Sequence, residues 1–303
     1  MNVKFGICTD VHTDLVHDGP WRVQKFLEAC REEQVDFCVD LGDFCSPGKR
    51  NLEQKTKVLD MLKAFPTPFY HVLGNHDMNF DNKAGAVAYL GMAGNCYSFD
   101  FGGVHFVALD TCYYQVREKC LPFDNGDYME APAGTKIPVL SPDELAWLEE
   151  DLAKTTYPSV LFSHHSLTKS RNGIVNQEAF REIVRKAPAG VLMCACGHEH
   201  RDWVKKSEGI WYTCINSMTY FWAGHNYVHT SYGGELELQY PILKKMFPYK
   251  EPLFAIVEIK DDAIYIKGRK TEIVGQQPEE IHYEKTGYMH EVSSAIEDKV
   301  LPV

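Results

Sequence analysis

The chain has 303 residues, of which 45% are hydrophobic and 24% are charged, as in a soluble globular protein of one or two domains. This composition excludes a chain that is disordered, collagen-like or coiled-coil throughout. The net charge of -11 disfavours a nucleic-acid partner, because a polyphosphate backbone is itself negative. No apolar run is long enough for a membrane span and no signal-peptide pattern opens the chain, so we expect a cytoplasmic protein without a membrane partner.

Short apolar runs predict strands, and amphipathic stretches between several of them predict helices. The predicted strands are 3–8, 35–41, 69–73, 104–109, 160–162, 191–196 and 211–215. The predicted helices are 23–33, 55–64, 145–154 and 177–185. Alternation of the two indicates an α/β fold with buried parallel strands, and 254–259 with 263–267 read as an antiparallel hairpin near the end.

Two long stretches interrupt this alternation. Residues 112–140 form an irregular loop with scattered Pro, Gly and charge, and residues 216–250 are rich in aromatic side chains. Loops of this length inside a compact domain usually have a function, so we expect both to face the substrate. We expect one catalytic domain over residues 1–270, followed by a C-terminal extension over 271–303.

The ten cysteines include no CxxC pair, which argues against a zinc knuckle or a redox motif. Half of them lie in apolar, strand-like runs, where a free thiol behaves as a small hydrophobic group. We therefore expect these cysteines to be reduced core residues.

Polar side chains follow five of the predicted strands at the point where each strand ends. They occur as Asp-x-His, Gly-Asp, Gly-Asn-His-Asp, His-His and Gly-His-x-His. Because ligands of open α/β sheets bind beyond the carboxyl ends of the strands, we expect these side chains to meet at one rim. The seven candidate metal ligands are Asp10, His12, Asp43, Asn75, His164, His198 and His200.

Carboxylates, imidazoles and one amide form a mixed oxygen and nitrogen set that suits Mn, Fe, Zn or Co. Seven ligands exceed the needs of one metal, but with one bridging carboxylate they would give two metals four protein ligands each. Taken singly, the motifs have ordinary alternatives: Gly-Asp is a common turn, and His164 could be a buried structural histidine. Their occurrence in one order, each at a strand end, favours a two-metal hydrolytic site.

This ordered set resembles the signature of the calcineurin-like metallophosphoesterase superfamily, over about residues 3–268. The resemblance implies two facing mixed β-sheets flanked by helices, a four-layer sandwich, with two divalent transition-metal ions at the strand ends. It implies one metal site made of Asp10, His12, Asp43 and His200, and a second made of Asp43, Asn75, His164 and His198. His164 is preferred to His165 because the family's ligand stands at the strand end, although Ser166 replaces a proline that is frequent there.

Departures from the pattern separate this chain from some relatives. Ser46 stands where purple acid phosphatases have a tyrosine ligand, and the GDxxDRG motif of protein Ser/Thr phosphatases is absent after Gly42. The ADP-ribose/CDP-alcohol pyrophosphatases typically have glutamine in place of His12. The unbroken pattern is most similar to the bacterial dimetal phosphodiesterases, which include cyclic-nucleotide and glycerophosphodiester enzymes.

The resemblance implies a hydrolase that cleaves small phosphoesters, and we expect phosphodiesters, through a metal-bridging hydroxide. His76, next to Asn75, is predicted to protonate or stabilise the leaving group, and Asp77 to orient the His76 ring. The alternative is that His76 only supports a ligand. For the whole protein the alternatives are a phosphomonoesterase, a pyrophosphatase, or an inactive metal-site scaffold.

Substrate choice is expected to come from the loops. Tyr220 and Trp222 could stack on a flat group, and Arg171 and Asn172 could reach a phosphate oxygen. The competing interpretation is that the aromatic residues pack on the protein's own core or on another subunit of a homo-oligomer, and that Arg171 is solvated.

Overall fold

A computed structural model describes residues 1–130, 135–168, 172–283 and 291–303 of the chain. Its strands are β1 (Asn2–Cys8), β2 (Phe37–Asp40), β3 (Phe69–His71), β4 (Tyr97–Phe101), β5 (Val104–Leu109), β6 (Tyr113–Val116), β7 (Lys119–Pro122), β8 (Pro138–Val139), β9 (Ser159–Ser163), β10 (Val191–Cys196), β11 (Trp203–Ser207), β12 (Ile210–Cys214), β13 (Tyr220–Trp222), β14 (Met246–Pro248), β15 (Ala255–Lys260), β16 (Ala263–Lys267), β17 (Arg269–Lys270), β18 (Ala295–Ile296) and β19 (Lys299–Pro302).

The helices lie mainly between strands. They are α1 (Gly19–Glu32), α2 (Leu52–Ala64), α3 (Lys83–Leu90), α4 (Asp127–Glu130), α5 (Pro142–Lys154), α6 (Gln177–Lys186) and α7 (Gly234–Gln239), with two 3-10 helices at Asn75–Met78 and Pro241–Lys245. Helix α5 begins where Ser141 caps it: its hydroxyl accepts a hydrogen bond from the Glu144 backbone N–H at 3.2 Å. None of the helices in the described parts of the chain is long and apolar enough to cross a membrane.

Two six-stranded sheets carry the fold, and both are mixed. The first has the strand order β19-β16-β15-β1-β2-β3, with parallel pairing among β1, β2 and β3 and antiparallel pairing elsewhere. The second has the order β11-β12-β10-β9-β5-β4, with parallel pairing from β12 to β5 and an antiparallel strand at each edge. The parallel strands and the terminal hairpin β15–β16 confirm the predicted alternation.

The two sheets face each other across an apolar core. Phe5 of β1 stacks on Phe37 of β2 with ring centroids 4.9 Å apart. The Phe5 ring also packs edge-to-face with the rings of Phe106 in β5 and Phe162 in β9, with ring centroids 5.7 and 5.8 Å apart. Both are contacts between the two sheets. Alternate residues of a strand point to one face, so Val3, Phe5 and Ile7 all enter this core. Burial of each such side chain contributes about 1.5 to 3 kcal/mol to stability.

Helices cover the outer faces of both sheets. Phe26 of α1 and Val58 of α2 pack with Cys38 of the first sheet, and Leu148 of α5 and Phe180 of α6 pack with strands of the second. The result is the predicted four-layer order of helices, sheet, sheet and helices. All ten cysteines are free, and the five in the predicted strand-like runs, Cys8, Cys38, Cys194, Cys196 and Cys214, are buried, as expected.

The two stretches predicted as irregular loops contain local structure. Residues 112–140 contain the small sheet β7-β6-β8 and helix α4. Residues 216–250 contain the antiparallel strand pair β13–β14 and helix α7. These elements pair mainly with each other and have short or polar runs, so hydrophobic periodicity did not reveal them.

The C-terminal segment ties the two sheets together at one edge. Strand β19 pairs antiparallel with β16 of the first sheet. Lys299 of β19 donates to both carboxylate oxygens of Asp202, at 2.7 and 2.8 Å, and Asp202 directly precedes β11 of the second sheet. The Trp211 indole N–H donates to the Pro302 carbonyl oxygen at 2.9 Å. Strand β19 is therefore integrated into the edge of the first sheet and contacts the edge of the second.

The ion pair between Lys299 and Asp202 predicts that replacing Lys299 lowers the stability of the fold. The Lys299 and Asp202 side chains are 9% and 7% exposed, so Lys299→Ala leaves a largely buried carboxylate without its charge partner. We expect the free energy of unfolding to fall by about 2 to 4 kcal/mol, measured by urea denaturation. The control is Lys270→Ala: its ion pair with Glu297 is 71% and 57% exposed, so solvent screens it and its loss should barely change the free energy of unfolding. Equal losses in the two variants would contradict the edge contact.

Candidate metal centre

The candidate ligands occupy the loops at the carboxyl ends of strands in both sheets. The first sheet supplies four of them and the second supplies three. In strand order they are Asp10 and His12 after β1, Asp43 after β2, Asn75 after β3, His164 after β9, and His198 and His200 after β10. Packing of the two sheets brings these loops to one rim, as the sequence predicts.

One group of donor atoms gathers around Asp10. The His200 Nε2 atom lies 3.1 Å from Asp10 Oδ1. The His12 Nε2 atom lies 3.8 Å from the same oxygen and also 3.8 Å from Asp43 Oδ2. Asp10, His12 and His200 are all buried.

A second group gathers around His164. Its Nε2 atom lies 3.2 Å from Asp43 Oδ2, 3.1 Å from Asn75 Oδ1 and 3.2 Å from His198 Nδ1. One oxygen, Asp43 Oδ2, thus faces His12 on one side and His164 on the other. Asp43 is the residue predicted to bridge two metals, and that role stays a prediction.

The distances of 3.1 and 3.2 Å fit ligands that share a metal ion, whereas the two distances from His12, at 3.8 Å, are longer than this fit requires. Two ligand atoms about 2.1 Å from one metal are about 3.0 to 3.4 Å apart at octahedral or tetrahedral angles. Both ring nitrogens of His12 are buried and have no hydrogen-bond partner among the described residues. An unpaired buried polar atom is costly, and coordination of one nitrogen would remove part of that cost. The donor set therefore fits two divalent ions.

The backbone at the rim is unusual. Five candidate ligands have left-handed φ angles: Asp10 at 52°, His12 at 48°, Asp43 at 57°, His198 at 65° and His200 at 49°. Non-glycine residues rarely adopt this conformation, and each instance costs about 1 to 3 kcal/mol. Strain of this kind concentrates at functional sites, where the surrounding structure fixes it.

Close approach explains two glycines of the motifs. A Cβ atom on Gly42, which has a φ of 102°, would lie 2.6 Å from the Gly74 nitrogen and 2.7 Å from His164 Nδ1. A Cβ atom on Gly197 would lie 1.9 Å from Thr9 Oγ1. Any side chain at either position would push apart the loops that carry the ligands.

Hydrogen bonds fix the orientation of the imidazoles. His164 Nδ1 donates to the Leu41 carbonyl oxygen and His200 Nδ1 donates to the Tyr220 carbonyl oxygen, each at 2.8 Å. Each bond leaves Nε2 directed at the centre. Asp10 Oδ2 likewise accepts from Thr9 Oγ1 at 2.7 Å, which leaves Oδ1 for the centre. The sequence did not reveal the Leu41 and Tyr220 carbonyls as partners, because a backbone carbonyl has no residue signature.

The titration behaviour of the ligands follows from burial and mutual charge. Burial opposes a charge on His164, but the neighbouring Asp43 and Asp10 carboxylates raise the pKa of His164 to about 10. Burial lowers the pKa of His12 and the pKa of His198 to about 3, so both are neutral. Burial also opposes ionisation of Asp43, but His164 and His76 hold the pKa of that carboxyl well below its usual range.

The geometry favours His164 over His165 as the ligand. His165 Nδ1 lies 2.9 Å from Thr111 Oγ1, and its ring packs 4.3 Å from the ring of His198. His165 is near the centre, but only His164 combines contacts to Asp43 and Asn75.

His76 lies at the rim beside His12. Their rings meet edge-on with centroids 5.1 Å apart, and the His76 backbone N–H donates to Asp43 Oδ1 at 2.6 Å. Its Nδ1 atom lies 2.8 Å from the Tyr128 hydroxyl oxygen and 3.1 Å from Asn79 Nδ2. Tyr128 belongs to α4, in the 112–140 stretch, and no pattern in the sequence indicates this contact.

The orienting role predicted for Asp77 needs correction. Asp77 is fully buried, and its Oδ2 accepts backbone N–H bonds from Asp43 at 3.0 Å and Gly74 at 2.8 Å. Its Oδ1 accepts from the Cys45 N–H at 3.0 Å. Asp77 therefore holds the ligand loops together, and Tyr128 and Asn79 contact the His76 ring in its place.

The predicted substrate residues have mixed outcomes. Tyr220 is only 3% exposed and stacks on His12 with centroids 5.2 Å apart, so its ring supports a ligand and is not free to stack on a substrate as predicted. Trp222 is half-buried in β13 and contacts His225 edge-on at 5.4 Å. Asn172 lies half-buried in a turn. Arg171 lies outside the described residues.

Comparison with known proteins agrees with this architecture. The family model of calcineurin-like phosphoesterases matches residues 3–202. The chain therefore belongs to the calcineurin-like phosphoesterase family and is a metal-dependent phosphoester hydrolase.

Solved structures share the fold at low sequence identity. A dimetal phosphatase from Danio rerio has 16% identity and a TM-score of 0.61, covering 90% of this chain and 98% of that one. GAP50, the anchor in the inner membrane complex of Plasmodium, has 12% identity and a TM-score of 0.54, covering 91% of this chain and 89% of that one. The search of curated proteins found no match.

The raised pKa of His164 predicts that metal binding releases a proton. A metal at this site must displace the proton of His164, whereas His12 and His198 are already neutral. Below about pH 10 the apparent affinity for Mn²⁺ should therefore rise with pH, by up to about tenfold per pH unit. Calorimetric titration at about pH 7 in buffers of different ionisation enthalpy should detect about one released proton per two-metal site. An affinity that does not change with pH would rule this out.

Proposed function

We propose that this protein is a two-metal phosphoesterase that hydrolyses small phosphate esters, phosphodiesters in particular. The observation that carries the proposal is Asp43 Oδ2, which lies 3.2 Å from His164 Nε2 and 3.8 Å from His12 Nε2. One ion, of Mn, Fe or Zn, would be held by Asp10, His12, Asp43 and His200, and the other by Asp43, Asn75, His164 and His198. When bound, the two ions supply an activated water and neutralise charge on the phosphate.

His76 is the proposed proton donor to the leaving oxygen. Its backbone bond to Asp43 and its ring contact with His12 hold the imidazole at the edge of the centre. Its Nδ1 atom is engaged by Tyr128 and Asn79, so Nε2 is the nitrogen that can carry a proton to a substrate. An alkoxide leaves slowly without such a proton, and a positioned donor typically contributes about 10²- to 10⁴-fold.

Tyr128 would orient the His76 ring. Its hydroxyl oxygen lies 2.7 Å from Asn79 Oδ1, which can only accept a hydrogen bond, so the single hydroxyl proton goes to Asn79. The Asn79 side-chain N–H can only donate, and it lies 3.1 Å from His76 Nδ1, with the Tyr128 oxygen 2.8 Å from the same nitrogen. These contacts occupy Nδ1 and leave Nε2 to exchange a proton with the substrate.

The preference for diesters rests on the sequence pattern. The full ligand set includes His12, and the chain lacks both the tyrosine ligand of purple acid phosphatases and the GDxxDRG motif of protein phosphatases. Within the same architecture we propose residues 1–270 as the catalytic domain, with the segment from 271 attached to its edge. The intact donor set and the placement of His76 weigh against an inactive scaffold.

The proposal is tested by assaying metal-reconstituted protein on bis(4-nitrophenyl) phosphate, 4-nitrophenyl phosphate and a pyrophosphate ester. We expect metal-dependent hydrolysis with the highest kcat/KM on the diester. Asp43→Ala removes a donor from both sites, so metal content should fall from about two ions per chain to below one, with at least about 100-fold less activity. The matched control is Asp60→Ala, an exposed aspartate on α2. One tightly bound ion that survives Asp43→Ala, or a higher kcat/KM on the monoester, would overturn the proposal.

The roles of His76 and Tyr128 predict a dependence on the leaving group. His76→Ala should lower kcat by about 10²- to 10⁴-fold on an alkyl phosphodiester and much less on a nitrophenyl ester, whose leaving group needs no proton. Tyr128→Phe removes only the hydroxyl and should show the same pattern with a smaller loss, about 3- to 10-fold. Metal content should stay constant in both variants.

The double variant and an exposed tyrosine serve as controls. If Tyr128 acts through His76, the double variant should be no slower than His76→Ala, and Tyr157→Phe, at an exposed site, should have no effect. Equal losses on alkyl and nitrophenyl esters would exclude proton donation. Loss of metal in His76→Ala would instead make His76 a ligand.

A further inference from the structure

A cavity of about 360 Å³ has in its wall Asp14 and Leu15, which closely follow the candidate ligand His12 along the chain. Its walls come from the loop after β1, the loop before α2, and the chain around the 3-10 helix Pro241–Lys245. Asp14 in its wall stands two residues after His12, and the His12 carbonyl accepts the backbone N–H of Leu15, another wall residue, at 2.8 Å. The cavity therefore begins within one turn of the candidate ligands, and its volume suits a small molecule.

Two cations line this cavity, and neither forms an ion pair within 4 Å among the described residues. Arg50 is exposed, and its guanidinium lies 5.9 Å from the Phe80 ring. Lys245 contacts His225 Nδ1 at 3.0 Å. Burial raises the pKa of Asp14 and the charge of Arg50 acts against this, so Arg50 lies within electrostatic range of that carboxyl, but no ion pair within 4 Å joins Arg50 or Lys245 to a carboxylate in the described parts of the chain. Lys244, the neighbour of Lys245, is by contrast 3.9 Å from the Glu237 carboxylate. Two unpaired cations on one cavity attract an anion.

The Asp14 carboxylate determines at which side of the cavity an anion can bind. It is 3% exposed, and its Oδ2 atom has no hydrogen-bond partner among the described residues. Asn51 Nδ2 donates to the Asp14 carbonyl oxygen at 3.1 Å and to the Val16 carbonyl oxygen at 3.3 Å, which fixes the loop. The carboxylate repels an anion from the buried wall, so the negative group belongs at the exposed side, with Arg50 and Lys245.

We propose that this cavity binds one arm of the phosphoester substrate and that this arm carries a second phosphate, paired with Arg50 and Lys245. The inference rests on the proposed function and names the substrate class within it: an ester whose organic part is itself phosphorylated. A neutral arm would leave both cations unpaired. The uncharged part of a phosphorylated sugar or polyol would lie against Asp14, where a hydroxyl can donate to Oδ2.

The test compares two diesters that differ only in the second phosphate: thymidine 5′-(4-nitrophenyl phosphate) and the same compound with a 3′-phosphate. Release of nitrophenolate reports attack on the 5′ phosphorus in both. At low ionic strength, where surface charges are least screened, we expect the wild-type protein to have a kcat/KM at least about tenfold higher for the 3′-phosphorylated diester. Arg50→Ala and Lys245→Ala should each lower this ratio by about 5- to 10-fold.

Three further variants separate charge from packing. Arg50→Lys keeps the positive charge and should keep most of the ratio. Lys49→Ala and Lys244→Ala remove neighbouring charges that do not line the cavity and should leave the ratio unchanged. A wild-type ratio near one, or the same ratio in Arg50→Ala and Lys245→Ala as in the wild type, would overturn the assignment.

The outcome is distinguishable from failure of the proposed function. Metal-dependent nitrophenolate release from bis(4-nitrophenyl) phosphate is measured in parallel on every variant. Absence of release from the wild-type protein defeats the proposed function itself. Release with an unaltered ratio in the two alanine variants defeats only the role of the cavity.

Discussion

The face-to-face packing of the two sheets is the contact on which the rest of the structure depends. Phe5 meets Phe106 and Phe162 across the interface, and this contact sets the spacing and direction of β1 and β9. The loops that leave the carboxyl ends of these strands are short, so the sheet spacing also sets the distance between Asp10 and His164 side chains. Neither sheet alone brings enough donors together for two ions; the centre exists only where both edges meet.

Bringing these donors together costs stability at the rim. Five ligands have left-handed backbones, and several carboxylates are buried close together. Burial, followed by the charge of neighbouring carboxylates, raises the pKa of Asp77 and the pKa of Asp40 well above their usual range. Burial also opposes ionisation of Asp43, but the imidazoles around it, His164 first, hold the pKa of that carboxyl well below its usual range. Bound cations would offset this repulsion, so the stability of the fold and the occupancy of the centre are thermodynamically linked.

The sequence could predict those features of the fold and of the candidate site that a local residue pattern specifies. Apolar runs located the central strands, and the residues that follow them located Asp43 and the other donors, because a strand end is a local feature. It could not predict that Tyr128 contacts His76, or which backbone groups Asp77 binds, since those contacts join segments that are distant in sequence. The stacking role predicted for Tyr220 was wrong for a related reason: an aromatic residue shows hydrophobicity in the sequence but not which ring it will cover. Gly197 shows the same limit. This position must lack a side chain because Thr9 lies against it, and the sequence does not show that contact.

The two stretches that interrupt the alternation of strands and helices both contact the rim that carries the candidate ligands. Tyr128, from residues 112–140, contacts His76, and residues 216–250 supply the Tyr220 carbonyl for His200 and the cavity cation Lys245. The sheets thus fix the donors, while the inserted segments contact the proposed proton donor and line the neighbouring cavity. Changes in these segments can therefore alter leaving-group chemistry and substrate choice without moving a ligand. This separation is a physical reason why one donor arrangement can serve many phosphate esters.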